Sequence, residues 1–301
     1  MTKTPVSFIG IGNLGLPMAA NLLAANFDLT LYNRTPEKAR ALVEQGARLA
    51  PTPADAVSGA QVIITCLADD RALESIADES FLSACLPGAI HLSMSTIHPA
   101  TSEKLAATHA KHKITYLAAP VFGRPEAAAT RKLWICISGP AHAKTKVRPV
   151  LDALSQGVYD FGEHVGAANV VKLSGNFLLA AAIEAMGEAA ALAEKNNIPR
   201  ADLLNMLTQT LFNCPIYNNY AARIITADFD KVGFPASLAL KDMRLALETA
   251  TTSQTPMPIL SLLRDRYLAS LANNQGHLDA SILALRPALD AGLTWFPPKI
   301  V

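Results

Sequence analysis

At 301 residues the chain is long for one domain, and two is the natural expectation. Half of the residues are hydrophobic and 17% are charged, enough apolar material for sizeable cores and far from the composition of a disordered chain. A net charge of +1 gives no electrostatic reason to expect nucleic acid or an anionic membrane surface as a partner.

The first predicted element is a short apolar strand over 6–9, followed by Gly10-Ile11-Gly12-Asn13-Leu14-Gly15 and an Ala-rich segment over 17–25 that reads as a helix. Strand, glycines, helix is the order in which G-x-G-x-x-G signals a dinucleotide site rather than a ligand-free turn. Gly10 permits the tight turn, Gly12 lets a pyrophosphate approach the backbone, and Gly15 lets the helix lie close on the strand. The free N–H groups and dipole of the helix start then hold the phosphates.

A second strand over 28–32 ends in Asn33-Arg34-Thr35-Pro36. Sites that prefer NAD usually carry an acidic residue here for the ribose hydroxyls. This chain offers Asn33, Thr35 and the guanidinium of Arg34 instead, a set suited to the 2′-phosphate of NADP(H), with NAD(H) still possible. The plainer alternative is a solvated Arg34 beside the start of a helix over 36–45.

Further strands are expected over 48–49, 62–66, 89–93, 114–117, 133–138 and 158–161, with helices over 70–82, 99–112 and 140–155 between them. This alternation predicts an α/β domain with a largely parallel, doubly wound Rossmann sheet over residues 1–164. Residues 165–301 carry no strand pattern. A long Ala- and Leu-rich helix over 166–196 is followed by helices over 200–209, 215–226, 236–252, 258–273 and 279–291, an all-α second domain. The closing Trp295-Phe296-Pro297-Pro298 reads as a non-helical tail.

Cys66, Cys85, Cys136 and Cys214 are far apart with no C-x-x-C pair and read as thiols in a reducing compartment. The seven histidines are too scattered for a metal site. The glycine turn and Asn13 interrupt the N-terminal apolar run, which argues against a signal peptide, and Glu184 and Glu188 make 177–193 a poor membrane span. A cytoplasmic protein without a membrane partner is therefore expected.

Three loops after strands hold candidate ligand-binding residues: Leu67-Ala68-Asp69-Asp70, Ser95-Thr96 and Pro120-Val121-Phe122-Gly123-Arg124-Pro125-Glu126. Ser95 or Thr96 would serve equally as caps of the following helix. On the long helix Asn169, Lys172 and Asn176 share one face among apolar neighbours. A Lys there either has partners or snorkels to water at a helix edge. Lys241 and Asp242 close another apolar run, either as site residues or as a surface ion pair.

Taken in order, G-x-G-x-x-G, Asn33-Arg34-Thr35, Leu67-Ala68-Asp69, Ser95-Thr96, Ala-Pro-Val-x-Gly, Lys172-x-x-x-Asn176 and Leu240-Lys241-Asp242 resemble the β-hydroxyacid dehydrogenase family from about residue 5 to 290. The resemblance implies that Lys172 is the catalytic acid/base and that Asn176 helps to bind substrate. It also implies that Leu67, Ala68, Thr96 and Lys241 lie against the cofactor, and that the chain forms a homodimer or homotetramer through its α domain. One departure stands out. The family's substrate loop normally reads Pro-Val-Ser-Gly-Gly, and here Phe122 replaces the Ser while Arg124 adds a guanidinium. Arg124 either clamps a substrate carboxylate or is neutralised by Glu126 above an apolar pocket at Phe122.

The expectation is an NADP(H)-dependent oxidoreductase interconverting a small semialdehyde or oxo acid and its hydroxy acid, its site in a cleft between the domains. Phe122, Gly123, Arg124 and Asn176 are the expected substrate contacts. Two alternatives stay open, an imine-reducing NADPH enzyme and a non-catalytic NADPH-binding protein. Retention of Lys172 argues for carbonyl chemistry, and Lys172, Asn176 and Lys241 together argue against a chain that has lost its chemistry.

Overall fold

A computed structural model defines the fold of residues 3–295. The chain begins β1 (Pro5–Ile9), α1 (Gly15–Ala24), β2 (Asp28–Tyr32), a 3-10 turn over Pro36–Ala39, α2 (Arg40–Glu44), β3 (Arg48–Leu49), α3 (Pro53–Val57) and β4 (Val62–Thr65). It continues with α4 (Asp70–Ile76), α5 (Glu79–Ala84), β5 (Ile90–Ser93), α6 (Pro99–Lys111), β6 (Thr115–Ala118), β7 (Val121–Phe122) and α7 (Pro125–Ala129). β8 (Leu133–Ile137), α8 (Ala141–Lys146), α9 (Arg148–Leu154) and β9 (Ser155–Asp160) precede the long helix α10 (Ala167–Lys195). Beyond it come α11 (Arg200–Gln209), α12 (Pro215–Thr226), α13 (Ala236–Thr252), α14 (Pro258–Ala272), a 3-10 segment (Ala280–Ala284) and α15 (Leu285–Asp290).

Two compact units result, one ending at Lys172 and the other beginning at Leu173, so the division falls inside α10. In the first, six parallel strands take the order β3-β2-β1-β4-β5-β6. Helices cover both faces, so the central strands are apolar in both directions. Val6, Phe8, Val62, Ile64, Ile90 and Leu92 point to one core, whereas Ile9 and Ile63 point to the other. A second sheet, β7-β8-β9, holds the remaining strands, with β7 antiparallel and β9 parallel to β8.

Several expectations need correction. The strands divide between two sheets, and β7 is a strand where a loop was expected. The helix expected over 36–45 opens as a 3-10 turn. That over 70–82 is two helices, because the Asp78 carboxylate accepts from the Phe81 N–H and starts a new one. The 140–155 helix divides at Val147, with Pro149 in the first turn of α9. Residues 279–291 begin as 3-10, and α3 and α7 were not foreseen. Of the predicted tail, Trp295 is buried outside any helix, and Phe296, Pro297 and Pro298 lie outside the described residues.

The second unit is helical and has its own core, built from α10 to α15 around Tyr267, Phe229, Leu260 and Ile282. α10 is long and apolar enough to pass a length-and-composition test for a membrane span, yet half of its most apolar stretch is buried inside the protein. Glu184 on this helix is buried against Arg266, whose guanidinium also reaches Asp290.

Candidate active site

β1, β4 and β5 are adjacent parallel strands, so the loops after them emerge side by side along one edge of the sheet. The strand order reverses between β1 and β4, the point where open α/β sheets take ligands. Gly10 has φ +104, and a Cβ there would meet the Cys66 carbonyl oxygen at 2.3 Å. A Cβ at Gly15 would lie 1.9 Å from the Gly10 carbonyl oxygen, so α1 can start this close to β1 only without a side chain. Gly12 differs: its Cβ would meet nothing within 4 Å, leaving open space above the loop in front of the helix start. That space is what a bound pyrophosphate would need. Asn13 is exposed beside it and Leu14 forms the N-cap position of α1.

Asn33 has a role that the sequence reading did not assign. Its Oδ1 accepts from the Ile11 N–H at 2.9 Å and its Nδ2 donates to the Thr35 carbonyl at 2.8 Å, tying the glycine loop to the end of β2. Both sides of the carboxamide are engaged within the protein. Arg34 is exposed and lines a cavity of about 290 Å3 with Tyr32, Asn33, Pro36, Leu49, Ala50 and Pro51. Its position beyond β2 is that expected for the adenosine end of a dinucleotide.

Along the same edge the Leu67 N–H donates to Ser95 Oγ at 2.9 Å, holding the β4 and β5 loops together. Ser95 is therefore a loop tie, and His98 occupies the cap of α6 with its ring accepting from the Ala100 N–H. Asp70 accepts from the His98 N–H at 2.8 Å, a third link between these loops. Ala68 is exposed and Thr96 half-buried at the same edge, in position to face a ligand.

Lys172 is only 9% exposed, which excludes the snorkelling alternative. Its Nζ lies 4.2 Å from the centroid of the Phe122 ring. Nearby Cys136 shows the same ammonium: burial pushes this thiol up and the Lys172 charge pulls it partly back. Asn169, one turn earlier, accepts from the Ser102 hydroxyl at 2.9 Å and pins the start of α10 to α6. Gly123 has φ +137, and a Cβ there would strike Leu133 at 2.6 Å. Arg124 is half-buried at the N-cap position of α7, and Glu126 is exposed in its first turn.

In the second unit Asn176, one turn beyond Lys172 on α10, is buried and donates through Nδ2 to Asp242 Oδ2 at 2.5 Å. Lys241 Nζ lies 3.0 Å from Asp242 Oδ1. Asp242 is 1% exposed, so the Lys241–Asp242 pair is no surface ion pair, and the carboxylate is a shared anchor. The signal was present in the sequence: Asp242 lies on the stripe of Ala239, Leu240, Met243 and Ala246 that α13 buries.

Residues 5–166 match the NAD binding domain of 6-phosphogluconate dehydrogenase, and residues 166–286 match the family described as NAD-binding of NADP-dependent 3-hydroxyisobutyrate dehydrogenase. An oxidoreductase of Bacillus subtilis, YfjR, is 40% identical over 280 residues, covering 92% of this chain and 98% of the relative. The 3-hydroxyisobutyrate dehydrogenase of Pseudomonas aeruginosa is 32% identical over 282 residues, covering 88% of this chain and 91% of the relative. Among solved structures, the Mycobacterium tuberculosis 3-hydroxyisobutyrate dehydrogenase with L-serine superposes with a TM-score of 0.85 at 28% identity, covering 95% of this chain and all of that one. With a Rossmann sheet, a glycine loop at its switch point and these matches along nearly its whole length, the chain belongs to the β-hydroxyacid dehydrogenase family, nicotinamide-dependent oxidoreductases that act on CH–OH groups.

Proposed function

We propose that this protein is an NADP(H)-linked enzyme that interconverts a small semialdehyde or oxo acid and the corresponding hydroxy acid. The observation that carries this reading is Lys172, a buried ammonium one helical turn from the buried Asn176. An ammonium is placed inside an Ala-rich helix face only where partners hold it, which keeps it at a defined position.

The residues of the sheet edge fit a dinucleotide. The open space over Gly12 accepts a pyrophosphate, and the N–H groups at the start of α1 face it. The cavity edged by Arg34 accepts the adenosine end, and the guanidinium supplies the charge that a 2′-phosphate requires. When bound, the nicotinamide supplies or takes the hydride.

Lys172 does the proton work. In the reducing direction its Nζ donates a proton to the oxygen of the carbonyl as negative charge develops there, and in the oxidising direction the neutral amine takes the proton from the hydroxyl. Asn176 is held with its NH2 towards Asp242, the only orientation a carboxylate acceptor allows, so its Oδ1 side is set as well. A fixed amide next to the general acid orients a substrate oxygen at little entropic cost.

The test is consumption of NADPH, with NADH in parallel, against glyoxylate, succinic semialdehyde, methylmalonate semialdehyde, an uncharged aldehyde of similar size and a cyclic imine. Turnover of the acids, faster with NADPH, supports the reading. Turnover of the imine alone would replace it with imine reduction. Tight NADPH binding without turnover of any compound would make the chain a binding protein.

A further inference from the structure

The first turn of α10 is held from two sides by hydroxyl groups that lie far away in sequence. On one side Ser138, just after β8, accepts from the Ala168 N–H at 3.0 Å and donates to the Val165 carbonyl at 2.7 Å. It caps the helix from another strand and satisfies one of the amides that a helix start leaves open. On the other side Ser102 on α6 donates to Asn169 Oδ1 at 2.9 Å, with the Tyr116 hydroxyl 3.4 Å behind it. Ser102, Ser138 and Asn169 are all buried. Gly166 lets the two helix starts meet closely, since a Cβ there would lie 3.1 Å from the Pro99 Cβ and 3.3 Å from the Pro99 carbonyl oxygen.

These ties hold the base on which Lys172 stands. Side chains on a helix lean towards its N-terminus, over the residues three and four positions earlier. For Lys172 those are Asn169 and Ala168, the two residues that Ser102 and Ser138 hold. The far end of the side chain lies against Phe122, with Nζ 4.2 Å from the ring centroid. α6 in turn starts from the loop of Ser95, Thr96 and His98, which the Leu67 N–H and the Asp70 carboxylate tie to the end of β4. A short run of hydrogen bonds therefore connects the sheet edge to the turn that carries the ammonium.

Resting on the reading of Lys172 as the proton donor, we propose that Ser102 and Ser138 are its positioning residues. They act through the helix and not on the substrate. By keeping the first turn of α10 in one place they bring the ammonium to the carbonyl oxygen in a reactive geometry, where a displacement of about 1 Å costs about 100-fold in rate.

The test sets S102A, S138A and the double variant beside K172A in steady-state turnover of succinic semialdehyde with NADPH. Each serine variant is expected to lower kcat about tenfold and the double variant about 100-fold, with KM and NADPH affinity within about twofold of wild type. The solvent deuterium isotope effect on kcat should rise, because proton transfer becomes the slow step. S102T and S138T, which restore a hydroxyl, should recover most of the lost kcat. If the double variant does not fold, the single variants carry the same comparison.

Wild-type kcat and isotope effect in S102A and S138A, beside an inactive K172A, overturn the positioning role and leave the proton donor in place. Loss of NADPH affinity in step with kcat also overturns it, by making the two serines structural. Full turnover by K172A would overturn the proton-donor reading itself, and the positioning role with it.

Discussion

Asp242 on α13 accepts a 2.5 Å hydrogen bond from Asn176 on α10, and its other oxygen pairs with Lys241. One buried carboxylate thus fixes two residues that the family pattern assigns to different ligands. D242A should lower kcat/KM more than tenfold and cost about 1–3 kcal/mol of stability through the stranded amide and ammonium. D242N keeps an acceptor for Asn176 and should lose less of both. Steady-state kinetics beside thermal melts would check this, and an unaltered kcat/KM in D242A would remove Asp242 from the site.

The glycine loop predicts opposite behaviour for two small substitutions. G12A adds a methyl group to open space, so melting should be unchanged while NADPH affinity falls tenfold or more. G15A drives a methyl group into the Gly10 carbonyl and should cost about 1–3 kcal/mol in addition to cofactor binding. Melts with and without NADPH distinguish the two.

Arg34 is the residue on which coenzyme preference should turn. R34A should raise the KM for NADPH about 10- to 100-fold, the equivalent of a lost charge-assisted contact worth about 1.5–3 kcal/mol, and leave the KM for NADH nearly unchanged. Equal effects on the two coenzymes would assign Arg34 a structural part.

A buried histidine pair gives the first unit a pH dependence. His109 Nδ1 donates to the Leu105 carbonyl at 2.7 Å; with both rings neutral its Nε2 then accepts from His91 Nδ1 at 2.8 Å, and His91 Nε2 accepts from the Thr65 hydroxyl at 2.9 Å. With both rings neutral every ring N–H meets an acceptor, whereas protonating both would set two N–H groups against each other at the His91–His109 contact. Burial pushes His109 down to about 4 and His91 well below its ordinary value. Between about pH 6.5 and 4 the unfolded chain binds protons that the folded one does not, so stability falls as pH falls, by roughly 1.4 kcal/mol per pH unit for each ring. Denaturant titrations at pH 7, 6 and 5 should show that slope, and nitrogen NMR should show His109 as the Nδ1–H tautomer. A flat profile would contradict the assignment.

Much of this was legible in the chain. Gly10 and Gly15 are readable because the turn and the close helix each demand something that only glycine supplies at those spacings, and Gly12 completes the pattern over open space. Lys172 and Asn176 are readable because polar residues on an apolar helix face need a reason. β7 was not, since two residues carry no periodicity and pairing with β8 alone makes them a strand. The breaks at Asp78 and Val147 were missed because capping and tertiary packing override continuous helix-forming composition. Asn33 also ties the glycine loop to the end of β2, through a bond between residues 22 apart in sequence that no local pattern reveals.

The most direct test of the account is K172A, followed by NADPH binding and by turnover of succinic semialdehyde. A proton donor that does not hold the cofactor predicts NADPH affinity within about twofold of wild type and a kcat lowered by about 100-fold or more. Parallel loss of binding and turnover would make Lys172 a structural residue, and full turnover without it would place the acid of this reaction elsewhere.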